Sequence, residues 1–412
     1  MNILVFNPGG NSLKAQIIEC RPSQMHACEG QELLSISIEG IGQKQKLAVM
    51  QDKKVIQTEQ IKAESYEDAA GNFLKWLEND SRQDQVPSLT SMDAIAVRVV
   101  HGGREFEGPA LLDAQVIEKI VDFEKLALLH NKSSVEILPP IRHSFPATPI
   151  YAVFDTSFHR TIPDYAFTYP IPTQLAERHG ILRYGFHGIS HRYLLERYAH
   201  LAGRDPAECN IVSMHLESGC SVTAIEHGRS VDNTMGLTPL EGLMMGTRCG
   251  DIDPSIVALL MQEEHMTIDE VMTLLNKKSG LMGVSETSLD TRVLMKEYDS
   301  DPRAKLAMDM FAYRVRKAVG AYVAALGSVE AIVFGGGIGE NGVFVRKFVC
   351  EGLRVFGLEL DADANDSLID EEGVLSQPGS RFQAWVIPTE EGLQIAHECL
   401  RTINGTKAFE QR

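Results

Sequence analysis

Long apolar runs are missing from this 412-residue chain. No stretch approaches the roughly 20 apolar residues of a membrane-spanning helix, so no such span is expected. The opening, MNILVFNPGGNSLK, lacks a basic start, and its apolar run is only Ile3 to Phe6. No secretory leader is therefore expected either. Basic charge is also short. Lys and Arg total 39 against 56 Asp and Glu, a formal net charge of −17, and no Lys/Arg-rich run compensates. That disfavours a nucleic-acid or anionic-membrane surface. It says little about small anions, because a few arginines can reverse the field locally. The seven cysteines (Cys20, Cys28, Cys209, Cys220, Cys249, Cys350, Cys399) contain no CxxC pair. An odd number, mostly inside apolar stretches, reads as buried free thiols in a reducing cytosol. No low-complexity segment or proline-rich linker divides the chain. Neither GxxxxGK[ST] nor a GxGxxG in a clean strand-to-helix setting occurs.

What is present is ordinary globular composition, 44% apolar and 23% charged, in a chain too long for one ordinary core. Two domains are expected. Ile3-Leu4-Val5-Phe6 followed by Asn7-Pro8-Gly9-Gly10 reads as a buried strand and a tight turn. A helix is expected at about Tyr66 to Glu78, capped by Ser65 with Asp68. Its buried face would be Ala69, Ala70, Phe73, Leu74 and Leu77. Ala94 to Val100 is a strand interrupted by Arg98, and Ile150 to Phe154 is a strand ending on Asp155. Strand, small-residue turn and serine then recur at Asn210–His215 and Glu217-Ser218-Gly219-Cys220-Ser221, a hint of duplication. A third instance is Ala331–Phe334 with Gly335-Gly336-Gly337-Ile338-Gly339-Glu340-Asn341. Before it, a long helix from about Pro302 to Leu326 would bury Ala307, Phe311, Val315, Ala318, Tyr322 and Leu326. The alternation argues for α/β architecture in two halves, with a boundary near Asp155.

Turns of this kind expose backbone N–H groups that can surround phosphate oxygens, and glycine lets the phosphate approach. Three together suggest a phosphate site, although each alone can be a simple hairpin. Arg98 inside an apolar strand needs an anionic partner, either a structural carboxylate or a substrate. Arg248 lies among glycines and carboxylates, in a loop salt bridge or facing an anion. His187, between glycines, is either a packed residue or a catalyst. Asp155 at a strand end suits a metal, a catalytic carboxylate or a turn.

Seven stretches carry a resemblance to a known family. They are RVVHGG (98–103), VFDTSFHRTIP (153–163), RYGFHGISH (183–191), MGLTPLEGLMMGTRCGDIDP (235–254), NKKSGLMGVS (276–285), FGGGIGEN (334–341) and VIPTEE (386–391). In this order they resemble the acetate kinase family nearly end to end. The resemblance implies the α/β fold of the sugar kinase, Hsp70 and actin superfamily (ribonuclease H-like): two related domains with an interdomain cleft. The N-terminal domain would span 1–155 plus 388–412 and serve the acyl and phosphate side. The C-terminal domain, 156–387, would serve the nucleotide and a homodimer interface. The implied activity is reversible transfer of the terminal phosphoryl of ATP to acetate or propionate in the cytoplasm, with Mg²⁺. The partners would be ATP/ADP and a small carboxylate or acyl phosphate, with no nucleic acid and no membrane.

By the same resemblance, Asn7 and Glu391 match metal-positioning residues. Asp155 matches the catalytic aspartate, and Arg98, Arg248 and His187 match transition-state stabilisers. Val100, Leu129, Phe186 and Pro239 match the acyl pocket. Ser12, Lys14, His215 and Gly219 match phosphate-turn positions. Asp290, Arg292, Gly337, Ile338 and Asn341 match the nucleoside pocket. The sequence departs from the family pattern at Gly10 and Asn11 (two serines), at Glu217-Ser218 (Gly-Asn), at Glu286 (glycine) and at Thr291 and Val293 (an aromatic and an acid). It departs again after Asn131, where Lys132-Ser133 stands for two prolines. The altered positions gather on the donor side. They leave open a different donor such as pyrophosphate, or a non-enzymatic paralogue that binds a carboxylate or acyl phosphate.

Overall fold

In the computed structural model, which describes residues 1–21, 30–42, 46–51, 54–79, 87–123 and 131–405, the apolar run at Ile3 becomes β1 (Asn2–Pro8). Pro8 and two glycines end it, and the chain returns antiparallel as β2 (Ser12–Glu19), with Asn7 opposite Lys14. β3 (Gln31–Glu39), β4 (Lys46–Gln51) and β5 (Lys54–Gln60) continue the meander outward. β6 (Ala94–Val99), the two-residue β7 (Ala110–Leu111) and β8 (Ile150–Phe154) complete the sheet. β6 runs parallel to both β1 and β8. The order among described residues is β5-β4-β3-β2-β1-β6-β8-β7.

Alternation along these strands feeds two cores. Leu4, Phe6, Ile95, Val97 and Val99 enter one, with the helix Tyr66–Asn79. That helix starts as expected: the Ser65 hydroxyl accepts from the Asp68 N–H, and the Asp68 carboxylate accepts from the Ser65 N–H, each at 3.1 Å. Its five expected apolar residues are all buried. Ile3, Val5, Ala94, Ala96 and Val153 enter the other core, against Ile395, Ala396, Cys399 and Leu400 of the helix Glu391–Ile403.

A second sheet repeats this plan. β9 (Ile211–Leu216), β10 (Cys220–Glu226) and β11 (Arg229–Asn233) form an antiparallel meander. β12 (Ala331–Gly335) lies parallel to β9, β13 (Gly373–Val374) is an edge strand, and β14 (Gln383–Val386) lies parallel to β12. The order β11-β10-β9-β12-β14-β13 matches β3-β2-β1-β6-β8-β7 strand for strand. The recurring strand and turn are thus one visible part of a repeated topology. The third glycine turn differs from the other two: it is no hairpin, but leads from β12 into the short helix Gly337–Asn341.

The helix Pro302–Leu326 packs on β9 and β10. Asp301 caps it, accepting from the Arg303 N–H at 2.8 Å, and Pro302 occupies its first turn. Ala307, Phe311, Val315 and Tyr322 are buried as expected. Ala318 and Leu326 are only half-buried, and Val319 and Val323 turn inward instead. Steps of four from Phe311 through Val315 to Val319 hold larger apolar groups on the face than the step to Ala318 does.

The chain divides into two compact units. One draws on Met1–Phe158, Gly188–Glu196 and Glu390–Arg412, and the other on His159–His187 and Arg197–Thr389. The segment Gly188–Glu196 lies inside the range 156–387 assigned above to the second domain. It joins the first unit because Ile189 is buried with Ile3, Val5 and Ile395. Among the described residues, no helix is long and apolar enough to cross a membrane.

Candidate active site

Three parallel strands of the first unit end side by side. Asn7 and Arg98 are the next-to-last residues of β1 and β6, and Asp155 follows β8. By strand parity all three lie on the face covered by Glu391–Ile403, because they continue the alternations Ile3-Val5, Ala94-Ala96 and Tyr151-Val153. The carboxyl ends of parallel strands are the usual ligand-binding edge of an α/β sheet. Arg98 grips Asp155 bidentately, Nε to Oδ1 at 3.0 Å and Nη2 to Oδ2 at 2.6 Å. Its Nη1 donates to Asn7 Oδ1 at 3.0 Å and lies 3.9 Å from Glu391 Oε2. The Asn7 amide nitrogen donates to the same Glu391 oxygen at 2.7 Å, and the Ser190 hydroxyl donates to the other. The cluster is largely buried, with the Asp155 side chain 1% exposed. Two carboxylates, one amide and one guanidinium thus hold each other in register.

The loop after β6 is fixed from behind. The Arg98 carbonyl accepts from Ser134 at 2.8 Å, and Gly102 donates to Thr156 Oγ1 at 3.0 Å. Asn131 bonds both backbone groups of His101 at 2.9 Å. Val100, in this loop, is half-buried. Leu129 lies outside the described residues. Ser12 and Lys14 begin β2; Lys14 faces Asn7 across the hairpin, and the Ser12 carbonyl accepts from Gly9 at 2.8 Å.

In the second unit the candidates sit on turns. His187 takes a left-handed backbone (φ 57°), just before the helix Gly188–Ala202. Its Nδ1 is 2.9 Å from the Ser221 hydroxyl, and its ring centroid lies 4.4 Å from that of His215. A Cβ at Gly219 would lie 3.2 Å from the His187 ring and 3.5 Å from Arg248 Nη1. His187, Gly219 and Arg248 therefore converge at the β9–β10 turn. Arg248 Nη1 donates to the Pro239 carbonyl at 3.0 Å. Phe186 is buried, and its carbonyl is held by His159 Nε2 at 2.9 Å and Asn233 Nδ2 at 3.2 Å. Burial pushes the His159 imidazole down to about 4, against the pull of its bond to Phe186. It is therefore neutral, with Nε2–H donating to Phe186 and Nδ1 accepting from Ser230 at 2.8 Å.

The nucleoside candidates have partners of their own. Asp290 caps the helix Thr291–Glu297, and its carboxylate pairs with the exposed Arg292 guanidinium at 2.7 Å. That hydrogen bond, above all, holds the Asp290 carboxyl below its ordinary range. Gly337 and Ile338 open the short helix after Gly336 (φ 72°), and Asn341 bonds the Asp370 carboxylate at 2.8 Å. Glu217, the acid in the β9–β10 turn, is 61% exposed and has Oε2 3.6 Å from His215 Nε2.

Asn7, Asp155 and Glu391 present oxygen donors only. Hard cations select such donors, and Mg²⁺ is commonly held by one or two carboxylates, with water and phosphate completing its shell. The donor set fits Mg²⁺. Sequence reading missed Ser190, Ser221, His159 and Asn131. Ser190 and His159 lie within quoted motifs, but nothing local marks their partners, which are 201 residues (Glu391) and 71 residues (Ser230) away.

Comparison with known proteins gives concordant findings. The pattern of the Acetokinase family matches residues 2–397. The acetate kinase of Chloroherpeton thalassium is 40% identical over 98% of this chain and 99% of that protein. The acetate kinase of Caldanaerobacter subterraneus subsp. tengcongensis is 41% identical over 99% of this chain and all of that one. The crystal structure of Porphyromonas gingivalis acetate kinase superposes with a TM-score of 0.87 at 34% identity, covering 98% and 99% of the two chains. A propionate kinase from Francisella tularensis gives 0.86 at 36% identity, covering 96% and 98%.

Proposed function

The chain belongs to the Acetokinase family, and from that premise we propose that it transfers the terminal phosphoryl of ATP to a short carboxylate, acetate or propionate, reversibly. The observation that carries this reading is the Asn7–Arg98–Asp155–Glu391 cluster at three adjacent strand ends. Neither a different donor nor a non-enzymatic role gains support from the relatives, which are named as acetate and propionate kinases.

Phosphoryl transfer asks the protein for alignment and for positive charge around the equatorial oxygens. The acceptor carboxylate is already ionised. One of its oxygens forms the new P–O bond as the bond to the ADP oxygen breaks, so no general base is needed. In the first unit, Arg98 is assigned to the transferring group, held in direction by Asp155 and Asn7, while Val100 and Leu129 are assigned to the acyl group. Asn7, Asp155 and Glu391 would hold Mg²⁺, which supplies charge neutralisation on the phosphates when bound. In the second unit, Arg248 and His187 are assigned to the phosphoryl oxygens, and Phe186 and Pro239 to the acyl group. His215 and Gly219, with Ser12 and Lys14 of the first unit, are assigned to the phosphate chain. Asp290, Arg292, Gly337, Ile338 and Asn341 are assigned to the nucleoside.

The first unit is thus proposed as the acyl and phosphate side and the second as the nucleotide side. A homodimer is also proposed. The helix Ser255–Glu263 buries none of its residues and exposes Ile256 and Leu259, three residues apart on one face that a second copy would cover. Light scattering tests this. A cytoplasmic location is proposed because the six described cysteines are free thiols. The function itself is tested with purified protein, Mg²⁺, ATP and acetate or propionate, trapping acyl phosphate with hydroxylamine. GTP and pyrophosphate run in parallel. Absence of acyl hydroxamate with ATP and either acid overturns the reading.

A further inference from the structure

A charged network centred on Arg183 joins the segment that carries His187 to the loop that carries Pro239. Arg183 donates from Nη1 to three successive carbonyls, those of Asn233, Thr234 and Met235, at 2.7, 3.1 and 3.3 Å. Its Nη2 donates to Glu241 Oε1 at 2.6 Å, and its Nε lies 3.8 Å from Asp232. The other Glu241 oxygen accepts from the Tyr169 hydroxyl, whose oxygen accepts from the Leu237 N–H at 2.8 Å. The loop backbone lies directly on this pair: a Cβ at Gly236 would sit 1.7 Å from the Glu241 carboxylate and 2.0 Å from the Tyr169 oxygen. Burial works against the charge on Arg183, but Glu241, then Tyr169, Tyr322 and Asp232, outweigh it. Burial, with Glu241 beside it, keeps the proton on Tyr169.

The connectivity gives the network its meaning. Arg183 stands four residues before His187 on one limb. Glu241 stands two residues after Pro239 on the other, and the Pro239 carbonyl receives Arg248. The limbs also meet through the Tyr184 N–H and the Gly236 carbonyl at 3.0 Å. A guanidinium that holds three carbonyls of one limb from the other fixes their separation far more tightly than one backbone bond could. We propose that Arg183, Glu241 and Tyr169 form a clamp that positions His187 and Arg248, a role that rests on the function proposed above.

The test compares Glu241→Gln, Tyr169→Phe and the double variant in the full-length protein. Glu241→Gln keeps shape and removes charge. It lowers kcat by about tenfold, within the range a small misplacement of catalytic groups produces, and leaves the KM for ATP within about twofold. Because the residues act as one unit, the double variant loses no more kcat than Glu241→Gln alone. In NMR spectra the His187 ring signal moves in Glu241→Gln, while those of the exposed His227 and His265 stay in place. That readout needs no turnover, so it judges the clamp even if the protein phosphorylates no carboxylate. Should Glu241→Gln fail to fold, Tyr169→Phe carries the same readouts at a smaller size. Wild-type kcat with an unmoved His187 signal, even beside a lower Tm, makes the network structural only and overturns the proposal. Multiplicative losses in the double variant overturn the single clamp.

Discussion

The two units solve the same problem, holding a few polar side chains rigid, in different ways. In the first, the candidate residues pair with one another: Arg98 holds Asp155, and Asn7 links Arg98 to Glu391. Three strand ends and one helix start set their spacing. In the second, His187 and Arg248 are held by a hydroxyl and a carbonyl on glycine-rich turns. The strong charge pairing there is between Arg183 and Glu241, neither of them assigned to the reacting groups. Where the working residues are also each other's counter-ions, stability and activity should fall together. Where the charge pairing lies in other residues, the two should separate.

The largest effect that can break this comparison comes from the two arginines. Arg98→Ala and Arg248→Ala should each lower kcat by about 10³-fold or more, as losing a transition-state cation does. Only Arg98→Ala should also lose stability, by about 3 kcal/mol, because Asp155 would be left buried without its cation. Arg248→Ala should stay within about 1 kcal/mol of the parent. Parallel kcat and urea-unfolding measurements decide. Equal stability losses would dissolve the distinction, and a variant that keeps a tenth of its kcat would leave the mechanism.

Acid should separate the units next. His159 titrates at about 4 in the folded protein, because it is buried, against 6.5 for the free residue. The unfolded chain therefore takes its proton first, and stability falls as pH drops from about 6.5 towards 4. The loss is about 2 kcal/mol at pH 5. In the first unit, burial works to raise Glu196, but Arg401 and Arg192 hold it down to about 2. Its contribution is present above about 4.5 and is lost only as pH falls from there towards 2. Glu398 nearby, raised by burial, works in the opposite sense. Hydrogen exchange at pH 7, 5.5 and 4.5 should show segments around His159 and Ser230 opening before those around Glu196. His159→Gln should flatten the upper part of that profile.

What could be read from residues alone follows the same divide. Strand ends are local, so Arg98 and Asp155 were visible as candidates, as was the repeated strand and turn; Asn7 entered only through the family resemblance. The long helix was legible in both its ends, but not wholly in its face, because Ala318 and Val319 compete for one turn and packing chooses the larger. The Arg183–Glu241–Tyr169 network was invisible. Its members are ordinary loop residues until the fold brings positions 58 and 72 apart in sequence onto one carboxylate. Asp290 and Arg292, read from resemblance, already satisfy each other. No local signal distinguishes such a pair from a ligand site.

The smallest effect concerns the one acid that the second unit places in its own phosphate turn. Glu217 is largely exposed, yet its carboxylate leans towards His215 rather than away from the turn. There it stands as a built-in anion where the proposed donor phosphate would come. A like charge about 4 Å away costs roughly 1 kcal/mol in water and 4 at an effective dielectric of 20, and the exposure of this side chain favours the lower part of that range. Glu217→Gly should therefore lower the KM for ATP by about five- to thirtyfold. The KM for acetate should hardly move, and the gain should shrink as salt rises and screens the pair. If Glu217 instead helps to hold a cation shared with the phosphates, the sign reverses: the KM for ATP rises and its dependence on Mg²⁺ weakens. Measuring ATP KM for both proteins across a Mg²⁺ series separates the two. An unchanged KM would mean that charge in this turn is indifferent to the donor. The second unit would then depend on Arg248 and His187 alone for its charge.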